Sequence, residues 1–190
     1  SGAMHDCDGY DHIGMIDASG GVLDQDYEMF EHMTPHTVIK HEFLTDSAGA
    51  GRQRGGLGVE TIYRVGSDST QIVTFGDGDI EPAFGVDGGK DGTLNKIELR
   101  YPDGRVSVLK SKDLILDVPA GTVYLQHAGG GGGYGLPTER PVERVRQETR
   151  DGIVSRECAR DTYGVALDES FNVLVDETTR RRAATGRPKQ

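Results

Sequence analysis

The 190 residues carry a formal net charge of −10 and include 28 glycines, about twice the usual share of that residue. The glycines are clustered without a three-residue period, which excludes collagen, and the acidic excess makes nucleic acid an unfavourable partner. No run of about 18 apolar residues predicts a membrane helix, and two cysteines far apart in sequence favour a reducing compartment, so we expect a cytoplasmic protein.

The beginning of the chain lacks a clear periodic pattern. Residues 1–4, Ser-Gly-Ala-Met, are typical of a cloning scar, and residues 5–36 are predicted to form an irregular arm rich in acidic residues and histidine. His5, Cys7 and His12 are candidate metal ligands in this arm, because imidazole and thiolate bind transition metals. The stretch has no established ligand spacing, so a polar surface arm is the favoured interpretation and no metal site is predicted.

A β-rich domain is predicted over residues 37–179, where short segments rich in β-branched residues alternate with turn signals. The clearest hairpin covers residues 96–109, because Pro102-Asp103-Gly104 provides the residues that a tight turn requires. A second hairpin is expected about the turn at Pro119, and a final one about Asp168. Further strands are expected at three places, residues 37–45, 59–65 and 71–75.

Two short helices are predicted near the C-terminus. Pro141 is suited to the first helical position and Gly152 to a helix stop, while Ser155 is a candidate N-cap and Gly164 a candidate C-terminal cap. The predicted fold class is therefore α+β, predominantly antiparallel β with two short helices near the C-terminus. Residues 180–190 are expected to form a basic, flexible tail.

The stretch from Asp46 to Gly58 concentrates five glycines and two arginines in thirteen residues. Glycine permits a positive φ or a close approach of the backbone to a neighbour, and arginine can grip a carboxylate or phosphate with two parallel hydrogen bonds. We therefore expect either an anion-binding loop, with several glycines at positive φ, or a tight structural crossing. A dinucleotide-binding loop is disfavoured, because a strand rather than a helix follows.

Arg52 and Arg54 are two residues apart, so in an extended segment they share a face and their repulsion requires a nearby anion. An internal ion pair is the favoured interpretation, and a carboxylate or phosphate of a substrate is the alternative. No motif identifies a catalytic residue. The candidate site comprises loop residues, with two supporting acids from the preceding arm: Asp46, Ser47, Arg52, Arg54, Gly55 and Gly56, with Glu28 and Glu31.

Three segments taken in order carry a family signal. They are "YEMFEHMTP" with Glu28 and Glu31, then "DSAGAGRQRGGLG", then "GGGGGYGLPTERPVERVRQETRDGIVSRECARDTYGVAL". Over nearly all of residues 27–182 the chain resembles the C-terminal part of the hydantoinase B/oxoprolinase family. That family includes N-methylhydantoinase B, 5-oxoprolinase and subunits of acetone and acetophenone carboxylases.

The resemblance implies a C-terminal domain or small subunit of an ATP-dependent complex that opens cyclic amides or carboxylates ketones. Such a chain would shape the site and the subunit assembly and would not be active alone. The resemblance implies no cofactor in this chain, with ATP and a divalent metal expected in the full complex. It also implies larger hydantoinase A-type and B-type subunits as partners, with neither nucleic acid nor membrane. A non-catalytic assembly module and an unrelated β-sheet binding module are the alternatives.

Overall fold

Seven strands and four α-helices make up residues 1–11 and 26–185, the part of the chain that the computed structural model describes. The strands are β1 (Thr37–Phe43), β2 (Val59–Arg64), β3 (Thr70–Phe75), β4 (Lys96–Arg100), β5 (Val106–Leu109), β6 (Lys112–Val118) and β7 (Val123–His127). The helices are α1 (Tyr27–Met33), α2 (Val142–Arg150), α3 (Arg156–Asp161) and α4 (Val175–Thr185), with a 3-10 turn at Pro137–Glu139. The predicted α+β fold class is confirmed. Within the two described ranges, no helix has the length and apolar character needed to cross a membrane.

The strands form two antiparallel sheets. The larger sheet has the order β1-β2-β7-β4-β5, and β3 pairs with β6 in a two-stranded sheet. Leu99 of β4 and Leu109 of β5 are buried against Val118 at the end of β6, and Ile72 and Ile115 pack onto this cluster from the small sheet. The inner faces of the two sheets therefore share one hydrophobic core.

The hairpin predicted over residues 96–109 is confirmed, with Ile97 opposite Leu109 and Gly104 at φ 85° in the turn. The hairpin predicted about Pro119 is wrong. β6 pairs with β3, whereas β7 pairs with β2 and β4, so the turn at Pro119 passes the chain from the small sheet to the large one. Turn residues predict a reversal of direction, but burial decides which strands pair.

The C-terminal segment departs from its prediction. The turn at Asp168 forms, since its carboxylate accepts hydrogen bonds from the main-chain N–H groups of Ser170 and Asn172, each at 2.8 Å. Beyond it a single bridge joins Leu167 to Val173, in place of the predicted hairpin. The chain then enters α4, which extends through residues 180–185 of the segment that was expected to be a flexible tail.

The two helices predicted near the C-terminus are α2 and α3. α2 follows Pro141, and Gly152 has φ 77° just after its end. The Ser155 hydroxyl accepts a hydrogen bond from the Cys158 N–H at 3.0 Å, which caps α3, and Gly164 follows with φ 67°. The helices pack on a second core formed by buried residues from both, with one alanine of the glycine-rich loop: Ala50, Val145, Val154, Ala159, Tyr163 and Val165.

The N-terminal segment is more ordered than predicted over its described part. Residues 27–33 of the expected irregular arm form α1, capped by Asp26, whose carboxylate accepts from the Met29 N–H at 2.8 Å. Residues 1–4, which were expected to lie outside the fold, pack within it. The Ser1 carbonyl accepts a hydrogen bond from the Gly56 N–H at 2.7 Å, and the Ala3 N–H donates to the Gly132 carbonyl at 2.8 Å.

Three glycine-rich segments cross at the centre of the molecule, residues 46–58, 83–92 and 129–135, and we name them together the glycine core. Main-chain hydrogen bonds join all three, including Gly49 to Gly131 at 2.8 Å and Lys90 to Ala50 at 2.7 Å. The expected positive φ is absent from every glycine of residues 46–58, a stretch that is described in full. Instead, a side chain at these glycines would collide with backbone, which supports the interpretation as a structural crossing.

We expect the Gly55→Ala substitution to destabilise the protein strongly. A Cβ at this position would overlap the carbonyl of Gly131, which is buried backbone and cannot rotate away. Overpacking of this kind costs about 1–3 kcal/mol or more. Gly76→Ala is the matched control, because a Cβ at that glycine meets no atom within 4 Å. Urea unfolding of both variants measures the effect, and equal losses of stability would contradict it.

Candidate functional site

The most concentrated set of charged groups lies where the glycine core meets α2 and the N-terminal segment. The loop between β1 and β2 provides Arg54, and the end of the 3-10 turn provides Arg140. α2 provides Glu148, which lies one helical turn beyond the buried Val145 and so faces the interior. Residues 1–11 add Asp8 and Asp11. We name these five side chains the arginine cluster: Asp8, Asp11, Arg54, Arg140 and Glu148.

Arg54 is buried, with 7% of its surface exposed. Its Nη1 donates to Asp11 Oδ1 at 2.9 Å and to its neighbour's carbonyl, Gly55 O, at 2.6 Å. Its Nε donates to Glu148 Oε1 at 3.2 Å. The Asp11 carboxylate also accepts the Leu57 N–H at 2.7 Å, so it joins the N-terminal segment to the loop through two separate donors.

Arg140 is fully buried, and all five of its N–H donors are used. Two parallel hydrogen bonds of 2.8 Å run to the two oxygens of Asp8, and two more, at 3.0 and 2.6 Å, run to Glu148. The fifth reaches the Arg52 carbonyl at 3.0 Å. Asp8 accepts a further bond from the Arg54 N–H at 2.8 Å. Arg140 thus clamps three distant segments to one another.

Opposite charges hold the cluster in its ionised form. Burial by itself would raise the pKa of Asp8 and of Asp11, but hydrogen bonds and charge from Arg140 and Arg54 outweigh it and hold both pKa values below their usual range. Burial would lower the pKa of Arg140, yet its two carboxylate partners raise it. Two guanidiniums and three carboxylates therefore remain charged at neutral pH.

Asp46 and Ser47, two predicted site residues, maintain the loop geometry. Asp46 has φ 58°, and its carboxylate accepts the Ser155 N–H at 2.8 Å at the start of α3. The Ser47 hydroxyl is fully buried, where it donates to the Leu44 carbonyl at 2.6 Å and accepts the Gly58 N–H at 2.9 Å. Both groups are occupied by main-chain partners that close the ends of the loop.

The predicted anions were misplaced. Glu28 and Glu31 lie on α1 away from the loop, and the Glu31 carboxylate accepts the Val38 N–H at 2.7 Å, next to the start of β1. The anions that pair with Arg54 come instead from the N-terminal segment and from α2. Gly55 and Gly56 contribute backbone packing rather than an anion cradle.

Arg52 and Arg54 have different surroundings. Arg52 Nη2 donates to the His5 carbonyl at 2.9 Å, and its guanidinium lies 6.0 Å from the Tyr134 ring. Its buried Nε has no hydrogen-bond partner among the described residues. Arg52 borders an open groove of about 490 Å³ beside the cluster, whose walls come from the N-terminal segment, the loop and the start of α2: His5, Asp6, Arg52, Gln53, Glu139 and Arg144.

The candidate metal ligands do not converge where they are described. Cys7 is exposed, and the His5 ring lies edge-on to Tyr134 at 5.5 Å between centroids. His12 lies outside the described residues. Over residues 1–11 and 26–185, no group of three histidine, cysteine, aspartate or glutamate side chains is arranged to hold a metal ion.

Sequence reasoning did not identify the partners of the loop arginines. Asp8 and Asp11 stand in the segment that was treated as a possible metal site, and Arg140 and Glu148 were assigned only to a helix and its approach. A usable signal was present, because two arginines in a glycine loop require carboxylates and the segment HDCDGYDH carries three aspartates. Their pairing spans up to 132 residues of sequence, so no local pattern marks it.

We expect the Arg140→Met substitution to cost about 3–5 kcal/mol of unfolding free energy, because it leaves Asp8 and Glu148 with uncompensated buried charge. Arg160→Met is the control, since Arg160 forms an ion pair with the adjacent Asp161 at the surface. It should leave the urea midpoint close to that of the parent. A similar midpoint for both variants would show that the cluster contributes little to stability.

The same cluster predicts how stability depends on pH. The folded pKa values of Asp8 and Asp11 are depressed, so the unfolded chain binds protons more readily. Their contribution is fully present above the ordinary aspartate pKa of about 4 and is lost as pH falls through the depressed values. Urea unfolding at a series of pH values should show this loss, with a shallower fall for Asp8→Asn. An identical fall in parent and variant would contradict it.

The chain matches a family model and several known proteins. The hydantoinase B/oxoprolinase model matches residues 1–137. The caprolactamase beta subunit of Pseudomonas jessenii is 31% identical over 188 residues, which cover 97% of this chain and 32% of that protein. A putative D-/L-hydantoinase of a Pseudomonas species has a component that is 27% identical over 95% of this chain and 30% of its own length.

Solved structures give the same correspondence. The ATP-dependent caprolactamase of Pseudomonas jessenii superposes with a TM-score of 0.83 at 30% identity, over 96% of this chain and 32% of that chain. A nucleotide-free acetone carboxylase shares the fold, with a TM-score of 0.80 at 21% identity. The chain spans about a third of the length of the relatives it matches. It belongs to the hydantoinase B/oxoprolinase family.

Proposed function

We propose that this chain is one domain, from the C-terminal part, of a hydantoinase B-type subunit in an ATP-dependent enzyme that opens a cyclic amide or carboxylates a ketone. The observation that carries the proposal is the superposition of nearly the whole chain on a third of an ATP-dependent caprolactamase. Family membership removes the alternative of an unrelated β-sheet binding module. The two free thiols, Cys7 and Cys158, suit the cytoplasm, which is the compartment that we propose.

The domain's own role in this proposal is to build one wall of the site rather than to perform the chemistry. The Ser47 hydroxyl is fully occupied, and burial, aided by the nearby carboxylate of Asp46, raises the pKa of the Cys158 thiol to about 11. Neither group is suited to act as a nucleophile at neutral pH. ATP and the divalent metal would bind elsewhere in the complex, on larger hydantoinase A-type and B-type subunits.

Within that site, we propose Arg52 as the residue that contacts the carboxylate or phosphate of the substrate. Arg54 is enclosed by Asp11 and Glu148 and is committed to the fold. Arg52 borders the open groove, and no carboxylate lies within ion-pair distance of it among the described residues. The alternative, a pure assembly module, is favoured by the internal neutralisation of Arg54, because that loop arginine has no capacity left for a ligand.

We expect the isolated chain to lack ATP hydrolysis and to leave hydantoin, 5-oxoproline, caprolactam and acetone unchanged. The described residues offer no metal-ligand group, and the candidate nucleophiles are occupied or protonated. Phosphate release with and without each compound measures this. Substrate-dependent phosphate release from the chain alone would overturn the proposal that other subunits complete the catalytic machinery.

In the complete enzyme, Arg52→Lys and Arg54→Lys should have opposite effects. Lysine keeps the charge and loses the planar fork, so Arg54→Lys should lower stability by about 1–3 kcal/mol with little change in turnover per folded molecule. Arg52→Lys should leave stability nearly unchanged and lower turnover. Thermal unfolding and turnover, measured on the same preparations, separate these effects. If Arg52→Lys retains parental turnover, the assembly-module alternative is favoured.

A further inference from the structure

The small sheet presents an exposed apolar face on the side away from the core. On β3, Val73 is 70% exposed and Phe75 is 84% exposed, and on β6, Leu114 and Leu116 are 57% and 55% exposed. Val73 lies opposite Leu114 in the antiparallel register, so the two strands turn these side chains to one side of the sheet. We name these four residues the outer face: Val73, Phe75, Leu114 and Leu116.

The opposite side of the same two strands is already buried. Ile72 lies opposite Ile115, and both pack on the core between the sheets. β6 therefore contains a continuous apolar run, Leu114-Ile115-Leu116, and not an alternation of apolar and polar residues. Such runs are typical of strands that are covered on both faces. The sequence of β6 thus matches a strand whose outer side is covered as well as its inner side.

An uncovered face of this kind is costly in water. Four large apolar side chains side by side form a patch that mostly marks an interaction site, whereas single exposed apolar residues are normal. A sheet of only two strands is also marginally stable unless it packs against something further. The core contacts of Ile72 and Ile115 secure one side, and the outer face lacks a comparable layer among the described residues.

We propose that the outer face packs against the rest of the hydantoinase B-type polypeptide. This inference rests on the proposed function, because it takes this chain as one part of such an enzyme. The fold matches 96% of this chain to 32% of the caprolactamase chain, so about two thirds of that chain lies beyond the match. A second copy is a poor occupant, since each copy carries a formal charge of −10 and the two would repel.

The partner surface is therefore apolar at its centre, to cover the four side chains. Basic groups at its rim would complement the acidic surface of this domain. Docking there would give the two-stranded sheet the second layer that its sequence pattern indicates. It would also tie the position of β6, and through Val118 the shared core, to the position of the larger part of the enzyme.

Thiol labelling tests the inference directly. Phe75→Cys places a thiol in the outer face, and Val108→Cys on β5 is a matched control, because Val108 is 68% exposed on the other sheet. Labelling by a maleimide is followed by peptide mass spectrometry, once in the isolated chain and once in the complete active enzyme that contains it. Circular dichroism confirms that each isolated variant is folded.

We expect the thiol of Phe75→Cys to react at least about tenfold more slowly in the complete enzyme than in the isolated chain, as in the dry centre of an interface. Sedimentation should show that the isolated chain is a monomer. Unchanged labelling in an active enzyme would overturn the inference and leave the proposed function standing. Slow labelling in an isolated chain that sediments as a dimer would also overturn it, in favour of a second copy.

A second pair of variants tests whether the contact stabilises the enzyme. Val73→Thr with Leu114→Thr keeps β-propensity and removes apolar surface from the outer face, and Val106→Thr with Val108→Thr does the same on β5. The first pair should lower the melting temperature of the complete enzyme more than the second, and equal effects would count against the inference. If no ATP-dependent enzyme contains this chain, the proposed function fails, and the inference fails with it.

Discussion

Arg140 is fully buried, and a guanidinium in that position is tolerable only if every donor finds an acceptor and the charge is neutralised. Asp8 and Glu148 meet both conditions, with two hydrogen bonds each. Because one acid belongs to the N-terminal segment and the other to α2, this requirement draws these two segments against the glycine core. Arg182 of α4 adds a further tie by donating to the Arg140 carbonyl at 2.8 Å.

The glycine core and the arginine cluster depend on each other. Three backbones can cross in contact only where side chains are missing, and the same absence removes the apolar packing that normally holds a loop in place. Main-chain hydrogen bonds replace part of that packing, and the ion pairs of Arg54 and Arg140 replace the rest. The glycines are therefore there for close approach, and the buried arginine of the loop compensates for what close approach removes.

This arrangement also divides the two loop arginines by role. Arg54 faces inward and is enclosed, while Arg52 lies beside an open groove and donates to a main-chain carbonyl through its Nη2. A rigid frame under a less constrained cation is how proteins usually hold a binding group in position. The outer face of the small sheet is open in a different way, as an apolar surface without a covering layer among the described residues. The domain thus offers one polar boundary and one apolar boundary to the rest of an enzyme.

The sequence by itself determined the local features. The turn at Pro102-Asp103-Gly104, the cap at Ser155 and the glycines that end the helices depend on residues within a few positions of one another, and all were predicted correctly. The family signal was also readable, because its motifs keep their order along the chain. Only the tertiary structure decided that β6 pairs with β3 and that Arg140 pairs with Asp8. Strand pairing and buried charge pairing minimise the energy of the whole molecule, and their partners are chosen by burial across the chain rather than by neighbours in sequence.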